Sequence, residues 1–218
     1  MLKIFLSYSN KDKDLAGSIK RFLERYSLQA FLAHDDIKPT EEWMETILEE
    51  LEVCHVFIPI LTDDFLKSGW TGQETGIAVA RKVKIISLKV TVDPPGFISR
   101  KQAIKLHSKY PAITFKEIVK IISIDPKLQE AFRDGIIKVF SESYSFDNAA
   151  ENTDLLLSFS GYNLRQINDI VKHTISNDQI HYCFRGREKL KVFISGNRFG
   201  LDPRLYKAFD EITQKKPF

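Results

Sequence analysis

The chain has 218 residues, of which 43% are hydrophobic and 11% aromatic, enough to bury a core in one large or two small domains. The formal net charge is only +3 and no basic arm or stripe is present, which argues against nucleic-acid binding. Two cysteines make no disulfide framework, no apolar run approaches the ~18 residues of a membrane span, and the N-terminal MLKIFLSYS is too short for a signal peptide, so we expect a cytoplasmic protein without a membrane anchor.

The N-terminal part of the chain alternates between strand-like and helix-like patterns. Four short runs rich in β-branched and aromatic residues are nearly continuous in apolar character, as strands covered on both faces are. They occupy residues 3–9, 29–34, 53–61 and 83–90. Helical spacing follows each of the first three runs. This alternation predicts an α/β domain with a central parallel sheet.

The first two helices are predicted from capping residues and apolar spacing. Asn10 can cap the first helix and Thr40 the second. The predicted apolar stripe of the second helix is Trp43, Ile47, Leu48 and Leu51. Its acidic outer face is interpreted as solvated.

After residue 90 the pattern changes. A Pro-Pro-Gly loop is followed by a predicted short helix at residues 99–107, and residues 115–122 can close the first domain. From residue 125 onward, helical spacing dominates, although KLKVFI also fits a strand. We therefore predict a domain at residues 1–120 and a small, mainly α-helical domain at residues 121–218, with a regulatory or assembly role.

The third helical segment, KSGWTGQETGIA, is unusual because it places Gly72 and Gly76 around Glu74. Each glycine costs roughly 0.5–1 kcal/mol relative to alanine inside a helix. Trp70 and Glu74 are four residues apart and therefore share a face. Either Glu74 is a surface residue of a helix packed tightly on a sheet, or the small residues leave room for a flat ligand.

In the predicted topology, polar side chains come together at one edge of the sheet, beyond the carboxyl ends of the strands. Ligands of open α/β sheets bind at this edge. The residues that follow the first two strands are Ser7, Tyr8, Ser9, His34, Asp35 and Asp36. The Trp70–Glu74 helix follows the third strand. This placement favours a functional role for Glu74.

Other chemistries lack their motifs. The sequence contains no GxGxxG, GxxxxGK[ST] or GxSxG pattern, so phosphate loops and a nucleophile elbow are not predicted. The adjacent Cys54 and His55 would point to opposite faces of a strand, which is poor metal-binding geometry. We predict no metal site, and Cys54 is interpreted as a buried small hydrophobic residue.

Three segments together resemble a known family. IFLSYSNKDK, FLAHDDIKPTEEW and FLKSGWTGQETGIAVARK are similar to the signature segments of microbial Toll/interleukin-receptor (TIR) domains, in the same order. The resemblance covers residues 1–120 and implies a flavodoxin-like parallel sheet wrapped by helices. Residues 121–218 show no such resemblance.

The resemblance also implies an activity. Enzymatic TIR domains cleave the N-glycosidic bond of NAD and release nicotinamide together with ADP-ribose or a cyclic isomer. Glu74 matches their catalytic glutamate, four residues after the tryptophan, and NAD is then the substrate, with no separate cofactor. A carboxylate can stabilise the oxocarbenium-like ribose, and the neutral nicotinamide needs little acid help to leave.

Further roles are implied residue by residue. Tyr8 and Ser9 would line the nicotinamide side, Trp70 would form an apolar wall, and residues 34–43, which include His34, Asp35 and Asp36, would form the loop over the site. The family further implies self-association of TIR domains and a role in microbial, antiphage immune defence. The alternative is a non-enzymatic TIR scaffold that acts by TIR–TIR assembly. Adaptor-type members often lack the matching glutamate, so Glu74 favours the enzyme.

Overall fold

The computed structural model describes residues 1–33 and 43–214, except for the side chain of Trp43. The chain divides into two compact units, Met1–Leu128 and Gln129–Phe218. The predicted boundary at residues 120/121 lies inside a helix, Pro111–Ile124, that belongs to the first unit. The division therefore falls after this helix, at residues 128/129.

The first unit is built on a sheet of six strands in the described part of the chain, and all of its pairings are parallel. The strands are β1 (Leu2–Ser7), β2 (Leu28–Leu32), β3 (Val56–Leu61), β4 (Lys84–Ile85), β5 (Leu88–Lys89) and β6 (Ile104–Lys105). The order is β2-β1-β3-β5-β6, with β4 also paired to β3. The long strands β1 and β3 are therefore central, and their apolar residues are buried because both faces of the sheet are covered.

Helices cover this sheet. They are α1 (Lys13–Glu24), α2 (Trp43–Val53), α3 (Asp63–Lys67), α4 (Gly69–Ala80) and α5 (Pro111–Ile124). Two 3₁₀ turns, Asn10–Asp12 and Gly96–Arg100, connect elements. In the core, the Phe5 and Phe57 rings stack with centroids 5.7 Å apart. The predicted α/β class with a parallel sheet is confirmed.

One strand prediction and one helix prediction in the C-terminal part of this unit were wrong. The run at residues 83–90 does not form one strand, because β4 and β5 pair with successive halves of β3. The predicted helix at residues 99–107 is instead the second 3₁₀ turn followed by β6. The Ile104 amide donates to the Ser87 carbonyl, and the Leu106 amide donates to the Lys89 carbonyl. Pairing with the sheet thus replaces local helical hydrogen bonds.

The helix predictions also need two corrections. Leu48 is 44% exposed, so the stripe that α2 buries includes Ile47 and Leu51 but not Leu48. Asn10 makes no side-chain cap, because it begins the 3₁₀ turn that precedes α1. The predicted cap Thr40 lies outside the described residues.

The second unit is helical throughout its described part. Its helices are α6 (Gln129–Ser141), α7 (Phe146–Leu157), α8 (Leu164–Ser176), α9 (Asp178–His181), α10 (Phe184–Gly196) and α11 (Pro203–Gln214). KLKVFI lies within α10, which resolves the alternative in favour of a helix. The α8 helix begins with a reciprocal capping box between Asn163 and Gln166. The mainly helical C-terminal region is thus confirmed.

None of the helices in residues 1–33 and 43–214 is both long enough and apolar enough to cross a membrane.

Candidate functional site

Two threonine hydroxyl groups in the residues after β3 make hydrogen bonds that fix the position of α4. Thr62 caps α3 by accepting the Phe65 amide proton at 3.0 Å. The Thr71 hydroxyl in the first turn of α4 donates to the Phe65 carbonyl at 2.6 Å. These contacts hold α4 directly beyond the carboxyl end of β3. Glu74 therefore lies at the edge of the sheet where parallel α/β folds bind ligands.

Glu74 points inward from α4 and meets the end of β1. It is only 3% exposed, and Ser7, the last residue of β1, is 0% exposed. The Ser7 Oγ donates a hydrogen bond of 2.5 Å to Glu74 Oε2. The interpretation of Glu74 as a surface residue is thus wrong. The Glu74 carboxyl group is buried where α4 meets the end of β1.

The environment of Glu74 shifts the pKa of its carboxyl group. Burial raises the pKa of the Glu74 carboxyl from 4.5 to about 7, while the Ser7 hydrogen bond acts in the opposite direction. The carboxyl group therefore changes its charge near neutral pH. A desolvated acid of this kind is characteristic of functional sites, although structural sites also show it.

Trp70 occupies the first turn of α4, one turn before Glu74. Its side chain is 36% exposed, so it is not a residue of the core. An indole that is partly open to solvent and partly packed can present an apolar face to a flat ring. The predicted contact of Trp70 with a ligand stays a prediction.

The other predicted site residues follow β1 and β2. Tyr8 is 1% exposed and belongs to the interior, whereas Ser9 is half-buried and precedes the first 3₁₀ turn. His34, Asp35 and Asp36 lie outside the described residues. The structure thus brings β1 and Glu74 together, and the ligand contacts of Tyr8 and Ser9 stay predictions.

Two residues near the site received no individual role from sequence reasoning. Ser7 was grouped with the residues after the first strand, but its bond to Glu74 was not predicted. Asp12 accepts a hydrogen bond from the Thr62 hydroxyl at 2.7 Å, which ties the loop after β1 to the end of β3. The available signal for Ser7 was a small polar residue at the end of an apolar strand, next to the ligand-binding edge.

The glycines of α4 do not lie beside Glu74. They are two residues away on either side, which places them on the opposite face of the helix. There Gly72 and Gly76 line a groove of about 300 Å³ with Phe97, whose side chain is 80% exposed. A Cβ at either glycine would meet no atom within 4 Å. Neither tight packing on the sheet nor access to Glu74 therefore accounts for them.

The described residues contain no cluster of three or more His, Cys, Asp or Glu side chains that could hold a metal ion. Cys54 is buried, and its thiol donates to the Leu51 carbonyl at 3.3 Å. Burial raises the pKa of this thiol to about 11, so it stays protonated at neutral pH. Cys54 is a buried small residue, as predicted.

Comparison with known proteins agrees with the motifs. The family model described as "TIR domain" matches residues 4–119. A solved structure, the TIR domain of the Toll-related receptor TRR-2 from Hydra magnipapillata, is 18% identical and covers 54% of this chain and 95% of that chain, with a TM-score of 0.47. No curated protein matches the chain. Because the family model spans more than half of its length, the chain belongs to the TIR domain family.

Proposed function

We propose that this protein is an NAD glycohydrolase or cyclase that cleaves the nicotinamide N-glycosidic bond, with Glu74 as the catalytic residue. The observation that supports this most is the buried Glu74 carboxyl group at the carboxyl ends of β1 and β3. It lies one turn after a partly exposed tryptophan, in the position that the family resemblance gives to the catalytic glutamate.

Electrostatics connects this geometry to the reaction. The nicotinamide ring of NAD is a cationic pyridinium, and its departure as a neutral molecule leaves positive charge on the ribose. An ionised Glu74 in a desolvated site stabilises both positive charges more strongly than a carboxylate in water does. Capture of the ribose by water gives ADP-ribose, and capture by a nucleophilic nitrogen of the adenine gives a cyclic product. No second catalytic acid is required, because the leaving group needs no proton.

The remaining contacts are part of the same proposal. Trp70 forms an apolar wall for the substrate, Tyr8 and Ser9 lie on the nicotinamide side, and residues 34–43, with His34, Asp35 and Asp36, form the loop over the site. NAD is the substrate, and no other cofactor is involved. We place the protein in the cytoplasm of a microbial cell, in antiphage immune defence, with residues 121–218 in a regulatory or assembly role.

The test is incubation of the full chain with NAD, followed by chromatography of nicotinamide and the adenine-containing products. The matched control is Glu74→Gln. Its amide oxygen can still accept the Ser7 hydrogen bond, so the fold should be retained at a cost of about 1 kcal/mol or less. We expect nicotinamide release from the wild type and none from Glu74→Gln. A folded Glu74→Gln variant that keeps most of the activity would exclude Glu74 as the catalytic residue.

A second candidate is a non-enzymatic scaffold that acts by TIR–TIR assembly. The observation that favours it is the 3% exposure of Glu74, because a carboxyl group shielded from solvent is also compatible with a purely structural role. The two candidates separate in the same assay. If the wild type releases no nicotinamide at high protein concentration or under crowding, the scaffold is the better assignment.

A further inference from the structure

Ser7 and Glu74 form a buried pair that joins the sheet to α4. The two residues are 67 positions apart, and the hydrogen bond between Ser7 Oγ and Glu74 Oε2 is 2.5 Å long. The backbone of Ser7 is held by its pairing with Pro59 of β3. A residue in a central strand cannot shift without disturbing its neighbours, so the backbone position from which the hydroxyl group donates is fixed.

The chemistry of this contact makes the two carboxyl oxygens different. A serine hydroxyl has one proton to donate, and here it is directed at Oε2. A carboxylate accepts hydrogen bonds at both oxygens, so Oε1 is the oxygen not engaged by Ser7. The orientation of the carboxyl group, and the oxygen it offers to a ligand, are therefore determined by a residue outside α4.

We propose that Ser7 is a positioning residue for Glu74, whose hydroxyl group occupies Oε2, holds the carboxyl group in one orientation and leaves Oε1 to face a cationic ligand. The ligand class is a pyridinium or another cation of the nicotinamide-ribose type. This inference rests on the proposed NAD-cleaving function for the identity of the ligand. The pairing of Ser7 with Glu74 itself does not depend on that function.

Ser7 also favours the charged form that such a ligand requires. The pKa of Glu74 is set by two opposing effects, burial, which raises it, and the hydrogen bond from Ser7, which lowers it. Without the Ser7 hydroxyl group only burial remains. The pKa of Glu74 then rises further. At neutral pH the carboxyl group becomes protonated and can no longer stabilise a positive charge.

Charged groups on the neighbouring elements are engaged elsewhere. Lys3 of β1 pairs with Glu50 of α2 at 3.2 Å, and the other acidic residues of α2 are exposed. In α3, Asp64 pairs with Lys11 at 3.0 Å, and Asp63 accepts a hydrogen bond from Thr91. Arg100 in the second 3₁₀ turn is exposed, and β3 carries no charged side chain. Among the described residues, burial and Ser7 are thus the two causes of the Glu74 shift.

The experiment measures the titration of Glu74 directly, in the full chain and without substrate. Glutamate labelled with ¹³C at the carboxyl carbon is followed by NMR against pH, and the Glu74 signal is assigned by its loss in Glu74→Gln. The test variant is Ser7→Ala. The matched control is Ser87→Ala, which removes a buried serine hydroxyl between β4 and β5 that is not among the causes of the Glu74 shift.

We expect Ser7→Ala to move the midpoint of the Glu74 titration upward by about one pH unit, and Ser87→Ala to leave it unchanged. Ser7→Thr keeps the hydroxyl group and should return the midpoint toward the wild-type value. If Ser7→Ala does not fold, Ser7→Cys, a weaker donor of similar size, provides the same comparison. An unchanged midpoint in folded Ser7→Ala, or in Ser7→Cys where the alanine variant does not fold, would overturn the proposal.

The second measurement is the pH dependence of nicotinamide release. The acid limb of kcat/KM should move to higher pH in Ser7→Ala by the same amount as the NMR titration, and kcat should fall more than KM rises at neutral pH. A merely structural loss would lower activity at every pH without moving this limb, and that result would reject the positioning role. If the wild type releases no nicotinamide while the titration still responds to Ser7, the NAD-cleaving function fails and the pairing of Ser7 with Glu74 stands.

Discussion

The Lys84 Nζ lies 2.7 Å from the Asp125 Oδ2, which joins β4 to the residue that ends α5. The hydrogen bond from Lys84 holds the pKa of Asp125 below its usual range. Near the start of the same helix, the Phe115 ring packs edge-on against Phe22 of α1 with centroids 5.5 Å apart. Both ends of α5 are thus attached to the first unit, which is why that unit extends to Leu128.

Truncation at residue 120 should therefore destabilise the TIR domain relative to truncation at residue 128. The shorter fragment loses Ile122, which is fully buried, and the Lys84–Asp125 pair. Removing a buried isoleucine side chain costs about 2–5 kcal/mol. Urea denaturation of the fragments 1–120 and 1–128 measures this difference. Equal midpoints would mean that the last turn of α5 contributes little to the first unit.

The stability of the protein should depend on pH through Glu74. Its pKa is raised from 4.5 to about 7 in the folded state, so the folded protein binds more protons than the unfolded chain within this range. The resulting stabilisation is present below pH 4.5 and is lost as the pH rises through 7. A shift of this size corresponds to something on the order of 3 kcal/mol.

The control for this prediction is Glu74→Gln, which cannot titrate at this position. The free energy of unfolding of the wild type should fall relative to that of Glu74→Gln between pH 5 and pH 8, as measured by urea titration at each pH. Parallel curves for the two proteins would show that Glu74 has an ordinary pKa in the folded state.

Substitution of Trp70 should impair substrate handling more than folding. The side chain is 36% exposed, so Trp70→Ala should cost less than the ~3–5 kcal/mol of a buried aromatic residue. Trp70→Phe should retain part of both activity and stability. Steady-state kinetics with NAD and thermal unfolding separate the two effects. Complete unfolding of Trp70→Ala would place the residue in the core instead.

Alanine at the α4 glycines should stabilise the protein. A Cβ at Gly72 or Gly76 meets no atom within 4 Å, and alanine is favoured over glycine in a helix by about 0.5–1 kcal/mol. The contrasting control is Gly186→Ala in α10, because its Cβ would lie 2.9 Å from the Thr153 Oγ1. Denaturation midpoints should rise for Gly72→Ala and Gly76→Ala and fall for Gly186→Ala. A loss of stability at Gly72 or Gly76 would indicate that a neighbour needs the space.

Activity should depend on assembly. If TIR domains complete each other's sites head-to-tail, specific activity should rise with protein concentration, because such contacts are heterologous and can extend. The measurement is nicotinamide release over a hundredfold dilution of the full chain. Addition of inactive Glu74→Gln protein to dilute wild type should restore activity, since the variant keeps the assembling surface. Constant specific activity would indicate a self-contained site.

Local patterns in the sequence determined the α/β class, the first three strand segments and the helical C-terminal region. They could do so because a helix that buries one face repeats its apolar residues with the period of the helix. A strand that is covered on both faces is a short, continuous apolar run. The position of Glu74 after the third strand followed from the same patterns and from the general rule for ligand sites in parallel sheets. The signature segments identified the family.

Only the tertiary structure decided which side chains meet. Ser7 and Glu74 are 67 residues apart, and their hydrogen bond depends on how α4 is held beyond β3, which no local pattern contains. The same applies to residues 99–107, where pairing with β5 outweighs helical spacing. In each case the deciding hydrogen bond or contact joins segments distant in sequence, so its energy is absent until the sheet has formed.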